Sequence, residues 1–242
     1  MDQPAKGIEL VASGRTLEVI FANPPDNRIT PEMVSGLDQA MDRLESDSLD
    51  VLLIKGAGRS FSKGFDVAAV QPDQSAELRR MLVLSNAVFS RIARSTKLTV
   101  AAIHGACMGG GLELSLACHF RLAAEKTRIG LPEVWINLVP GLGGMYRLAR
   151  LVGQAKALEL VTLGDLITAE EALRLNLVNR VFPREDFFDR VNSFIKALLV
   201  ADQRVVREII RVVGLSSTVG EEDGIRQGRE SFARLFPCVQ KT

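Results

Sequence analysis

The sequence predicts an α/β fold organised around a parallel sheet, on three observations. Val51-Leu52-Leu53-Ile54 is free of charge and bounded by Asp50 and Lys55, as expected of a strand buried on both faces. A second apolar run, over residues 98–103, leads through Gly109-Gly110-Gly111 into a segment over 112–118 that reads as the first turns of a helix. Strand-like and helix-like stretches alternate around these two runs. That is the order of βαβ units with right-handed crossovers, whose ligands bind beyond the carboxyl ends of the strands.

In chain order, residues 7–12 and 16–22 read as a hairpin about Ser13-Gly14-Arg15, ended by Asn23-Pro24-Pro25-Asp26-Asn27. Thr30 before Pro31 is an N-cap with proline at the first helical position, and Met33, Leu37, Met41 and Leu44 recur at helical spacing as far as Glu45. After the strand at 51–54, glycines make residues 56–66 a loop. A helix over 75–94 precedes the run at 98–103, and residues 120–123 form the next strand. Pro132 suits a first helical position, which puts Glu133 in a first turn, where the helix dipole favours an acid whatever its function. Pro140-Gly141-Leu142-Gly143-Gly144 is a second glycine-rich turn. From Met145 the pattern is helical: a capping box over Thr168 to Glu171, a short apolar piece at Leu177-Val178, and helices over 184–199, 203–213 and 221–235. The switch to an all-helical pattern divides the chain near residue 190, into 1–190 and 191–242.

Composition narrows the function. A chain of 242 residues with 47% hydrophobic and 24% charged residues is globular and large enough for a substantial core. A formal net charge of +1 gives no generally basic surface for nucleic acid. Cys107, Cys118 and Cys238 have no CxxC spacing and leave an odd count, which argues against a disulfide framework or a zinc site and for a reducing, cytoplasmic setting. The longest uncharged run, 98–112, is glycine-broken and too short for a membrane span, and the first ten residues resemble neither a signal nor a transit peptide. A GxGxxG frame begun at Gly141 ends on Tyr146, and no glycine loop ends in GK[ST], so nucleotide-cofactor loops are excluded.

The chemistry centres on Glu113. It lies one turn beyond Gly109, with Leu112, Leu114, Leu116 and Ala117 around it and only Ser115 otherwise polar. A carboxylate so placed must find a partner, become neutral or do chemistry. Two readings stand: it caps neighbouring backbone N–H groups, or it is a catalytic acid or base. The glycines before it permit close approach of a ligand, and the helix start offers unpaired N–H groups where negative charge could develop.

Three pieces in register resemble the crotonase, or enoyl-CoA hydratase/isomerase, family, and the hydratase type most. They are Phe61-Ser62-Lys63-Gly64-Phe65-Asp66, the stretch from Ala102-Ile103-His104-Gly105 through Gly109-Gly110-Gly111-Leu112-Glu113-Leu114, and that from Gly130-Leu131-Pro132-Glu133-Val134 through Pro140-Gly141-Leu142-Gly143-Gly144. The segment at 168–181 also fits, so the resemblance runs nearly end to end. It implies a superhelix of ββα turns rather than a doubly wound sheet, closed by C-terminal helices that form homotrimers or homohexamers. It implies an acyl thioester substrate, on CoA or a carrier protein, with no cofactor and no metal. By motif position the thioester oxygen would sit between the N–H groups of Phe65 and Gly110, Glu113 would handle water, and Glu133 would handle the proton at the α carbon. Two glutamates are what hydration of a 2-enoyl thioester needs, one to polarise water and one to supply a proton.

The same motifs place Gly64, Asp66 and Val67 against the substrate. Lys63 stands where alanine is commonest and Arg28 where a small residue is usual; each suits a phosphate of CoA or is merely solvated. Trp135 replaces a smaller aliphatic residue and either narrows the acyl pocket or fills core. Gly141 stands where dienoyl isomerases carry an aspartate, which leaves room for water. Double-bond isomerase, dienoyl-CoA hydratase and decarboxylase are the nearest alternatives on this scaffold, and an RNA-binding or scaffold homologue is the alternative of another class. Retention of both glutamates and the near-zero charge favour the enzyme. His104 and His119 read as packing residues. Relatives continue beyond the position of Thr242 into one more basic helix over the thioester, so either the sequence is shortened or the site is more open.

Overall fold

The computed structural model describes residues 5–45, 48–66, 75–216 and 218–239. The chain opens with an antiparallel hairpin of β1 (Ile8–Ser13) and β2 (Thr16–Phe21), turned at Gly14 with φ 57°. From β2 it winds in repeated turns, each laying one strand in a large sheet, a second extended piece in a smaller layer, and then a helix. In the first, Ile29 is the extended piece and α1 (Pro31–Leu44) follows, with Thr30 Oγ1 accepting from Met33 N at 3.3 Å. In the second come β3 (Val51–Gly56), the extended residues Ser62 and Phe65, and α2 (Ser75–Ala93). The third is β4 (Leu98–Ile103), β5 (Ala106–Met108) and α3 (Gly110–Ala117).

The fourth turn is longer. It runs β6 (Phe120–Ala124), β7 (Arg128–Gly130), a 3₁₀ turn (Pro132–Ile136), α4 (Gly144–Val152), α5 (Gln154–Leu163), β8 (Ile167–Thr168) and α6 (Ala169–Arg174). Then β9 (Arg180–Phe182) is followed by α7 (Phe187–Val200), α8 (Gln203–Leu215) and α9 (Glu221–Val239). The large sheet has the order β1-β2-β3-β4-β6-β9, parallel after the first pair, and the small one β5-β7-β8. Single parallel bridges, Ile29 with Phe65 and Ser62 with Cys107, extend the smaller layer back through the earlier turns. Because β5 and β7 leave the large sheet, the winding is the ββα superhelix and not two halves of a doubly wound sheet.

Alternation along the strands explains why they read as continuous apolar runs. Leu52, Ile54, Ala101 and Ile103 point into the core shared with α1, α2 and α3. Val51, Leu53, Leu98, Val100 and Ala102 face the other way, against Phe187, Val191 and Ile195 of α7. Residue 190, where the sequence pattern changes, falls inside this helix. The sequence differs from the structure mainly in the small pieces. Residues 56–66 are not loop alone, because Ser62 and Phe65 bridge, and the helical pattern from Met145 is broken at Gly153, φ 83°, between α4 and α5. Among the described residues no helix is long and apolar enough to cross a membrane.

Asp50 ties the ends of this structure together. Its side chain is 6% exposed, and it accepts from Arg15 Nε at 2.7 Å and pairs with Arg207 Nη2 at 3.3 Å, joining the hairpin turn to α8. Both arginines are partly solvated, which reduces the value of the pairs, but a buried acceptor left without its charge cannot hold them. Asp50→Asn is expected to lower unfolding free energy by about 1–3 kcal/mol, read as a lower urea midpoint at unchanged slope.

Candidate active site

The site is built where the second, third and fourth turns meet at the start of α3. Gly109 opens that helix with φ 53°, and the glycines after it allow the earlier turn to press against it: a Cβ on Gly111 would lie 2.7 Å from Ser62 O. All eight residues of α3 are buried. At its far end Arg121, itself buried, donates to Cys118 O at 2.6 Å and Ser115 O at 3.3 Å, and also to Leu177 O at 2.7 Å. A guanidinium there satisfies carbonyls that the helix cannot and complements its dipole.

Phe65 and Gly110 come together across glycine. A Cβ on Gly64, φ 85°, would lie 2.9 Å from Gly110 N, and one on Gly110 would lie 3.6 Å from Phe65 N. Neither N–H donates to a backbone carbonyl among the described residues. Both residues line one cavity of about 430 Å³, and Glu113 and Glu133 line it too.

The two carboxylates differ in their support. Glu113 is 2% exposed, and its Oε1 accepts from Leu142 N at 2.7 Å and Gly144 N at 2.8 Å. Burial raises its pKa and outweighs these two bonds and the charge of Arg147, which pull the other way. Glu133, on the 3₁₀ turn, has only its own backbone N–H to favour its charged form. Its Oε2 is buried without a hydrogen-bond partner, and a Cβ on Gly109 would lie 3.2 Å from its Oε1. Burial first, and then the charge of Glu113, raise its pKa to about 7. A carboxyl of that pKa beside a held carboxylate is an acid and base pair able to work near neutrality.

Of the other sequence-predicted residues, Arg28, Lys63, Gly64, Trp135 and Gly141 line the cavity. Lys63 Nζ pairs with Asp26 Oδ1 at 2.9 Å, and that bond holds the Asp26 carboxyl below its ordinary range. Arg28 Nη1 lies 3.4 Å from Phe65 O. Trp135 is 74% exposed, so it forms rim and does not fill core. Gly141 is open: an added Cβ would meet only Leu82 Cδ2, at 3.6 Å. Asp66 is exposed and is not among the lining residues, and Val67 lies outside the described residues.

Sequence reasoning missed the wall that α2 supplies, Leu78, Met81 and Leu82, and it missed what the Pro140–Gly144 turn does. The turn's glycines were legible; that its amides hold Glu113 was not. Gly144 shows why glycine is needed, since a Cβ there would lie 2.6 Å from Glu113 Cγ.

The histidines pack as expected. His104 Nε2 faces Gly58 O at 3.2 Å, with its ring against Phe187 and Phe188. His119 Nδ1 accepts from Thr99 N at 3.1 Å, and burial pulls its pKa down to about 4. Cys107 and Cys118 are free, buried thiols pushed up to about 12 by desolvation. No three His, Cys, Asp or Glu side chains among the described residues are placed to hold a metal ion.

A ββα spiral that brings paired carboxylates to a glycine-cradled helix start defines one class of α/β protein. A model of the enoyl-CoA hydratase/isomerase family matches residues 13–236, and the chain belongs to that family. It is 42% identical over 159 residues to a probable enoyl-CoA hydratase of Bacillus subtilis, an alignment covering 65% of this chain and 62% of that one. To a crotonyl-CoA hydratase of Syntrophomonas wolfei it is 35% identical over 195 residues, covering 79% and 75%. The solved structure of Pseudomonas aeruginosa DspI superposes with a TM-score of 0.92 at 26% identity, over 97% of this chain and 90% of that one.

Proposed function

We propose that the protein is a hydratase that adds water syn across the 2,3 double bond of a 2-enoyl thioester, with CoA as the carrier, to give a 3-hydroxyacyl thioester. The observation that carries this reading is that Glu113 and Glu133 line the same cavity as Phe65 and Gly110. The relatives named as hydratases support it.

In this reaction the thioester oxygen accepts from the N–H groups of Phe65 and Gly110. Glu113, ionised, takes a proton from water as the water oxygen bonds to C3. The π electrons move towards the carbonyl oxygen, and the two amides stabilise the negative charge that develops there. Glu133, carrying a proton at neutral pH, supplies it to C2. The proton left on Glu113 then passes to Glu133, directly or through solvent, for the next cycle. No cofactor is needed, since CoA belongs to the substrate. Lys63 and Arg28, at the cavity wall, would face CoA phosphate, with Gly64 beside them and Trp135 and Gly141 on the acyl side. The region 191–242 would assemble the homotrimer or homohexamer beside a catalytic region 1–190. Buried free thiols suit a cytoplasmic setting.

Hydration of crotonyl-CoA, followed as loss of the conjugated absorbance, tests the reading; an absence of turnover with crotonyl-CoA and longer 2-enoyl-CoA esters rejects it. The pH profile of kcat/KM is expected to be bell-shaped. Activity falls on the acid side as Glu113 gains a proton and can no longer act as base. It also falls above about 7, where Glu133 loses the proton it must donate. The residual rate of Glu133→Gln is expected to lack the alkaline limb.

A further inference from the structure

The two amides that hold Glu113 are themselves supported differently. Gly144 opens α4, and the carbonyl of its peptide unit, Gly143 O, accepts from Arg147 N at 3.0 Å, an ordinary first helical bond. Leu142 belongs to no helix or strand. The carbonyl of its peptide unit is Gly141 O, and that oxygen accepts from Asn86 Nδ2 at 3.0 Å. Asn86 stands on α2, and the same Nδ2 donates to Leu82 O at 3.1 Å. Two carbonyls around one side-chain end demand an NH₂ group, so the amide can face only one way.

We propose that Asn86 is a positioning residue for Glu113, acting through the Gly141–Leu142 peptide in one continuous chain, Nδ2–H···O=C–N–H···Oε1. A donor on a peptide oxygen draws electron density from its nitrogen and makes the N–H a better donor. The side chain therefore fixes the turn and also strengthens a bond that favours the ionised form of a buried carboxylate. Leu82, one helical turn before Asn86, lines the cavity, so the helix that meets the acyl group also sets the carboxylate.

The charged groups that face Glu113 are Arg147 from α4 and Glu133 from the 3₁₀ turn. Cys118 and, from β5, Cys107 remain neutral thiols, and the lining that α2 turns to the cavity, Leu78, Met81 and Leu82, is uncharged. Replacing Asn86 by a neutral residue alters none of these charges. A change in the titration of Glu113 then reports the peptide.

The kinetic part of this inference rests on the hydration reading; the titration part does not. Asn86→Leu removes both donors while keeping bulk, and Asn86→Ala removes them without adding an apolar branch. In ¹³C-glutamate NMR of the full chain, with Glu113→Gln identifying the resonance, the Glu113 midpoint is expected to rise by about half a unit in both variants. The acid limb of kcat/KM should move upward equally, with kcat/KM at pH values on that limb down about threefold and KM for crotonyl-CoA nearly unchanged. An unmoved midpoint in a folded variant overturns the proposal, even if the rate falls, because that is the pattern of general loosening. A moved midpoint in a protein that hydrates nothing supports the role of Asn86 and sinks the hydration reading alone.

Discussion

Replacing Glu133 with glutamine is expected to lower kcat for crotonyl-CoA hydration by about 10²–10⁴, and Glu113→Gln by a similar factor. Glutamine preserves size and leaves the fold in place, so the loss reads chemistry. At position 133 it removes the proton due to C2 and replaces a group whose charged form burial penalises with a neutral one, so the variant should be no less stable than the parent. At position 113 an amide oxygen can still accept from Leu142 N and Gly144 N, now 2.7 and 2.8 Å from Oε1, yet it cannot take a proton from water. If the pair acts as a unit, the double variant will lose little more than either single one. Turnover equal to the parent in both single variants would remove the carboxylates from the mechanism.

Gly110→Ala is expected to lower kcat by about 10²–10³ with a smaller effect on KM, the loss typical of one misplaced oxyanion donor. A main-chain N–H cannot be deleted by exchanging a side chain, so the approach of its neighbour must be altered instead. The added methyl would fall 2.5 Å from Phe65 Cδ2 and 2.9 Å from Cε2, well inside contact distance. The ring must yield, and the Phe65 amide moves with its residue. Alanine is otherwise welcome at the start of α3, where φ is ordinary, so folding should survive and the effect should appear in steady-state kinetics. A parent-like kcat would mean that these amides do not receive the developing charge.

Much of the architecture was legible because its signals are local. Met33, Leu37, Met41 and Leu44, spaced for a helix, are all buried on one face of α1, and residues 51–54 are buried throughout. The smaller layer was not legible. Pieces of two or three residues such as β5, β7, β8 and β9 have no pattern of their own; they are strands because a neighbouring turn supplies the partner, as Ile129 does for Cys107. Glu113 shows the same divide. Its sequence leaves capping and catalysis both open, and the structure gives it N–H partners that are not local but lie 29 and 31 residues away. Asp66 has only its motif behind it, and it lies exposed, outside the cavity lining.

The winding of the chain has a consequence for how such a protein can change. Phe65 comes from the second turn, Gly110 and Glu113 from the third, and Glu133 with the loop that holds Glu113 from the fourth. On the proposed reaction, the amides that grip the carbonyl, with Glu113 beside one of them on α3, are thus encoded apart from Glu133 and from the loop that sets Glu113, with β6 and β7 between them. If those amides receive the thioester oxygen as proposed, mutation can rewrite the fourth segment while the grip formed by the earlier two persists, which would make the scaffold a starting point for reactions that share an enolate and part ways in its later fate.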